Sequence, residues 1–103
     1  MNAPAKTTVE YWRELTEENQ HGLARVEISQ WVSEQAFHLD DGGRGFHEAN
    51  ALHRVLAAIE TVAGELGSTP QGLLELRARK TRELLAFVGR HSPEAADAIR
   101  KSL

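Results

Sequence analysis

Apolar positions along this chain recur at helical rather than strand intervals. The cleanest run is Leu52, Val55, Leu56, Ile59, Val62, Ala63 and Leu66, spaced i, i+3, i+4, i+7. That spacing predicts a helix over about 51–66 with a broad stripe facing a core. Gly67 stops it. After Ser68-Thr69-Pro70 a second run begins, predicting a helix over about 71–89. Leu74, Ala78, Thr81, Leu85 and Val88 make a 4-3-4-3 seam there, flanked by Leu73, Leu84 and Phe87. Such a seam packs a neighbouring helix or a second copy of the chain.

The other elements are weaker in pattern. Residues 1–6 read as a flexible tail. Thr7-Thr8-Val9-Glu10 has capping-box spacing and opens a helix over about 8–19, with Tyr11, Trp12 and Leu15 on one face. Asn19 to Gly22 is the expected break. Over 23–39 two patterns compete: Val26, Ile28 and Val32 suit a strand, whereas Ala24, Ile28 and Trp31 suit a helix. Length decides for a helix, since strands rarely exceed about ten residues. Asp40-Asp41-Gly42-Gly43-Arg44-Gly45 reads as a loop with positive φ. Ser92-Pro93 signals a last short helix, as N-cap and first helical residue, ending at Arg100-Lys101. The expected fold is all-α: one domain over 1–103, a small bundle of four to five helices containing a helix-turn-helix-like corner.

Composition narrows the functions. There is no cysteine, so neither disulfides nor thiolate sites arise. No apolar run nears the roughly 20 residues of a membrane span. The start, MNAPAKTT, lacks the apolar core of a signal peptide, so a cytoplasmic protein without membrane contact is expected. Net charge is −3 but uneven. Residues 1–60 carry ten acidic and five basic side chains, and residues 61–103 carry five and seven. An acidic half beside a basic half suggests a partner on one face or self-association between unlike faces.

The stretch Thr61–Arg82 carries the sharpest chemistry. Ala63 is a small residue at a helix contact, Gly67 the turn glycine, and Val62, Leu66, Leu73 and Leu76 the inner faces. In a helix-turn-helix the second helix enters the major groove of double-stranded DNA. Here it presents Gln71, Arg77, Arg79, Lys80 and Arg82 as candidate nucleic-acid contacts, the four cations expected on one exposed face. Ser68 stands where a buried apolar turn residue is usual, and Glu75 and Glu83 lie four residues either side of Arg79. A plain helical corner is the competing reading.

His47-Glu48-Ala49-Asn50, an amphipathic helix, and then Ala63-Gly64-Glu65-Leu66-Gly67-Ser68-Thr69-Pro70 resemble the C-terminal part of phage terminase small subunits. Glu10-Tyr11-Trp12-Arg13-Glu14-Leu15 with Gly22-Leu23 is similar to that family's opening. The resemblance covers about two thirds of the chain. Glu48 departs from the family's proline, Ser68 from its leucine, and Gln71-Gly72 from its Ser-Arg. What the resemblance implies is a non-enzymatic, homo-oligomeric DNA-recognition subunit that hands viral DNA to a larger motor inside the bacterial host.

Other chemistry is thin. His38, Asp40, Asp41, His47 and Glu48 are the nearest thing to a metal set, but no histidine pair has i, i+4 spacing, and no metal or cofactor is expected. His21, His53 and His91 read as surface or helix-end residues. Ser29, Ser33, Ser68, Ser92 and Ser102 lack a nucleophile's context, so an enzyme is not expected. Trp12 and Trp31 read as core anchors before hot spots. Two further readings remain. One is a small acidic interaction protein, such as a phage-encoded inhibitor of a host defence complex, using the acidic N-terminal half. The other is a structural module that oligomerises through the Leu74–Val88 seam.

Overall fold

The computed structural model describes residues 25–102. The expected tail, the helix over 8–19, its capping box and the break at 19–22 lie outside them. Four helices follow: α1 (Arg25–Ala36), α2 (Arg44–Leu66), α3 (Gln71–His91) and α4 (Pro93–Ser102). There is no strand among the described residues, so this part of the chain is all-α. The ambiguous segment is a helix because only that spacing buries its apolar side. Ile28, Val32 and Ala36, at four-residue steps, are all enclosed, whereas Val26 is half-exposed.

α2 begins at Arg44, seven residues ahead of the expected start. Gly42 and Gly43 do take positive φ (72° and 84°), as a glycine loop should. Gly45 is different. It is helical and buried, and a Cβ there would lie 2.7 Å from both Asp41 Oδ2 and Leu39 Cδ1. Its role is close approach. Asp41 closes the helix start: its Oδ2 accepts from Gly45 N at 2.7 Å and its Oδ1 from Gly43 N at 3.1 Å. A carboxylate there also meets the positive end of the helix dipole.

The other boundaries follow the sequence closely. Gly67 ends α2 with φ 74°. α3 starts after Pro70, whose carbonyl accepts from Leu73 N and Leu74 N at 3.0 Å. It ends where Ser92 N donates to Val88 O at 2.7 Å. Ser92 Oγ then accepts from Ala95 N at 3.3 Å, capping α4.

Packing runs in chain order: α1 on α2, α2 on α3, α3 on α4. α1 and α2 are antiparallel, since Ser29 meets His53 near one end and Phe37 meets Phe46 at the other. α2 and α3 are antiparallel as well. Arg90 Nη2 lies 2.8 Å from Glu48 Oε1, and Arg77 Nη1 lies 3.1 Å from Glu60 Oε1. Those pairs sit twelve residues apart on α2, about 18 Å at 1.5 Å per residue. The arms therefore lie side by side as an αα-hairpin. A helix-turn-helix would cross at about 90–120°, so the expected corner is replaced by this hairpin.

One core joins all four helices. It is formed by Ile28, Val32 and Ala36, by Ala49, Leu52 and Leu56, by Leu84, Phe87 and Val88, and by Ala95, Ala96 and Ile99. Trp31, Leu39 and Leu85 pack against it. The apolar stripe of α2 is buried only as far as Ile59. Beyond it Val62 is 40% and Leu66 59% exposed, and Leu73, Leu74 and Leu76 across the turn are half-buried. The hairpin tip thus projects past the core. The expected seam on α3 is divided too. α4 packs along its second half, bringing Ala96 Cβ to within 3.7 Å of where a side chain on Gly89 would begin.

Candidate nucleic-acid interface

The candidate cations are set by the geometry of α3. At about 100° per residue, Arg77 and Arg79 point about 200° apart, and Lys80 lies about 60° from Arg77. The expectation of one shared basic face therefore fails on helical geometry alone. Arg77 turns toward α2 and pairs with Glu60; its side chain is 26% exposed. Lys80 pairs with Glu83 at 3.0 Å and is 29% exposed. Gln71 is exposed and donates to Glu75 Oε1 at 3.3 Å.

Arg79 and Arg82 remain. Both are exposed, about 60° apart on the outer side of the helix. Neither has an ion pair or hydrogen bond within the described residues. Neither glutamate flanking Arg79 pairs with it: Glu83 is paired with Lys80, while Glu75 accepts from the neutral amide of Gln71 and keeps its charge. Exposed pairs such as these stabilise by about 0–1 kcal/mol. The Arg77–Glu60 and Lys80–Glu83 pairs act mainly on the field, cancelling two of the four positive charges.

Below the tip a second group gathers. The guanidinium of Arg25, at the start of α1, is held below its ordinary pKa by burial first and Arg77 second, while Glu60 acts in the opposite sense. Its Nε is buried without a hydrogen-bond partner. Arg25 was not singled out from sequence, where it is one arginine in an uncertain segment. At the far end of the hairpin, Arg90 sits 5.5 Å over the Phe87 ring while both its bonds go to Glu48.

Ser29 and His53 were also unread as a pair. Ser29 Oγ is fully buried, lies 2.8 Å from Val26 O, and lies 2.8 Å from His53 Nδ1. Its single proton goes to Val26 O, so His53 donates from Nδ1. With the serine oxygen sealed from solvent, this pair is a link between α1 and α2 rather than a nucleophile. No signal in the sequence joins two residues 24 apart. Around the glycine loop, both oxygens of Asp41 are taken up by backbone N–H groups. Among the described residues no group of three or more His, Asp or Glu is placed to hold a metal.

Two clefts flank α3. One opens toward α2, over Ala51, Leu52 and Val55, with Lys80 and Glu83 at its rim. The other opens between α3 and α4, over Leu85, Ala86, Gly89 and Ala96, with Arg82 and Arg100 at its rim.

No family model, curated protein or solved structure matches this chain. Function has to be argued from its own residues.

Proposed function

We propose that the chain is a non-enzymatic DNA-binding subunit working as a homo-oligomer, of the kind that presents phage DNA to a packaging motor. The observation that supports this is the uncancelled charge of Arg79 and Arg82, exposed on a long helix whose other cations are paired. Two phosphates per copy is the ceiling such a surface offers. At about 0.9 logarithmic units of salt slope per phosphate, raising salt fourfold weakens one copy's binding only about 12-fold. Contact that weak needs several copies on one duplex, which is why the oligomer belongs to the reading.

The test is an electrophoretic shift with double-stranded DNA at two salt concentrations, with light scattering on the same sample. Salt-sensitive binding lost in Arg79→Gln/Arg82→Gln, but kept in Arg77→Gln, is expected. Unchanged binding by the double variant overturns the reading.

A second reading is a protein–protein inhibitor using acidic residues. Glu27 and Glu34, exposed along α1, favour it. It predicts that Glu27→Lys/Glu34→Lys abolishes capture of a host protein that the arginine variants still capture.

A further inference from the structure

The exposed side of α3 is uneven along its length. Gln71, Glu75, Ala78, Arg82, Leu85 and Gly89 follow one another at 4-3-4-3-4 spacing, so they form one stripe along the helix. The first four are exposed and the last two half-buried at the cleft beside α4. Charge divides this stripe. From Thr61 to Leu76 there are two glutamates, Glu65 and Glu75, and no cation. On the stripe itself the charged residues are Glu75 and, seven residues on, Arg82; of the other cations over 77–82, Arg77 turns toward α2 onto Glu60 and Lys80 pairs with Glu83. The acidic part is also the tip with bare apolar surface, Val62 and Leu66. Arg82 borders a cleft over Leu85, Ala86, Gly89 and Ala96, with the Arg100–Asp97 ion pair also in its lining. One molecule therefore carries a knob bearing Glu75 and a recess bordered by Arg82 along the same helix.

We propose that two copies pair end for end across α3, about a two-fold axis beside Ala78, with the hairpin tip of each against the α3–α4 cleft of the other. Turning one copy about that axis sets Glu75 opposite Arg82 of the second copy, and Gln71 opposite its Ala86. The Gly67–Pro70 turn then reaches the level of Gly89. Each contact occurs twice, as a closed two-fold pair requires. Ala78, Ala86 and Gly89 are small enough for helix axes to approach to about 8–10 Å. The pairing rests on the oligomer half of the reading above, not on the DNA half. Within the pair Arg82 answers a glutamate, so the charge left for a polyanion is Arg79 alone, one per copy rather than two.

The chain's lack of cysteine makes the test direct. Ala78→Cys places a single thiol beside the axis, and Ala58→Cys places one on the exposed side of α2 as a control. Under mild oxidation Ala78→Cys is expected to cross-link to a covalent dimer and Ala58→Cys to stay monomeric. In sedimentation, Glu75→Arg and Arg82→Glu are each expected to weaken the dimer at least about tenfold, and the double reversal to restore it. Circular dichroism on each variant confirms that the helices remain. Cross-linking equal at both positions, or a double reversal no better than the singles in a folded protein, overturns the pairing. A dimer that passes these tests but shifts no DNA overturns only the DNA reading.

Discussion

Replacing Gly45 by alanine tests the account of the α2 start. In an open helix position this change stabilises by about 1 kcal/mol, because alanine loses less backbone freedom on folding. Gly64, in the same helix, is such a position, with nothing within 4 Å of its would-be Cβ. At Gly45 the new methyl meets Asp41 Oδ2 and Leu39 Cδ1, each at 2.7 Å. Both are side-chain ends and can swing aside, so the cost lies in what they give up. Asp41 loses its bonds to Gly43 N and Gly45 N, a cap of about 1–2 kcal/mol. Leu39 gives up part of its packing on the core, about 1 kcal/mol more. Against a propensity gain of at most about 1 kcal/mol, Gly45→Ala is expected to destabilise by about 1–2 kcal/mol. Gly64→Ala is expected to stabilise by about 1 kcal/mol. Denaturant melts at low protein concentration measure both. The double variant Asp41→Ala/Gly45→Ala sharpens the test: with the carboxylate gone, the alanine costs less than it does alone. Equal, stabilising shifts for Gly45→Ala and Gly64→Ala would refute the close-approach argument.

Three other outcomes are expected. His91 packs 5.0 Å from the Phe87 ring, and its pKa is lowered from 6.5 by burial first and Arg90 second, against the pull of Asp41 and Glu48. The unfolded chain then binds that proton more readily, so stability falls as pH drops below about 6.5. His91→Gln should flatten that acid limb, and an unchanged pH profile would count against the burial argument. Leu56→Ala, in the sealed core, should cost about 2–5 kcal/mol in urea, whereas Leu66→Ala at the bare tip should cost under about 0.5 kcal/mol in dilute solution. Ser29→Ala should cost about 1–3 kcal/mol, since it strands a half-buried imidazole N–H; a neutral result would mean that His53 finds water instead.

Sequence pattern located every described helix, and the reasons are local ones. Gly67 and Ser92-Pro93 act within a few residues of themselves, so their signals survive without knowledge of the fold. Gly45 shows where that stops. A glycine in a glycine-rich run looks like a positive-φ residue, yet this one is helical and small because Asp41 and Leu39 crowd it. Val62 and Leu66 show another limit: periodicity finds the face of a helix but not how far the covering helix extends. The four candidate cations were expected on one face, which a helix does not allow. Arg77 to Arg82 are neighbours in the chain, and a helix fans neighbours apart. That dispersal was readable from the 3.6-residue turn, whereas the pairing of Arg77 with Glu60 was not.

The two ion pairs that brace the hairpin also bear on how it is assembled. The pair nearer the turn spans 17 residues and the far pair spans 42. Closing the longer loop costs about 0.8 kcal/mol more in chain entropy, from three halves of RT times the logarithm of their ratio. Entropy alone therefore favours zipping from the turn outward. Burial runs the other way, because Leu66 is open at the turn end while Phe87 is enclosed near the far end. The cheap contacts come without hydrophobic reward, and the rewarded ones need the longer loop. A partly zipped hairpin is poorly stabilised at every stage, which favours condensation of its distant arms together with α1 and α4 in one cooperative step.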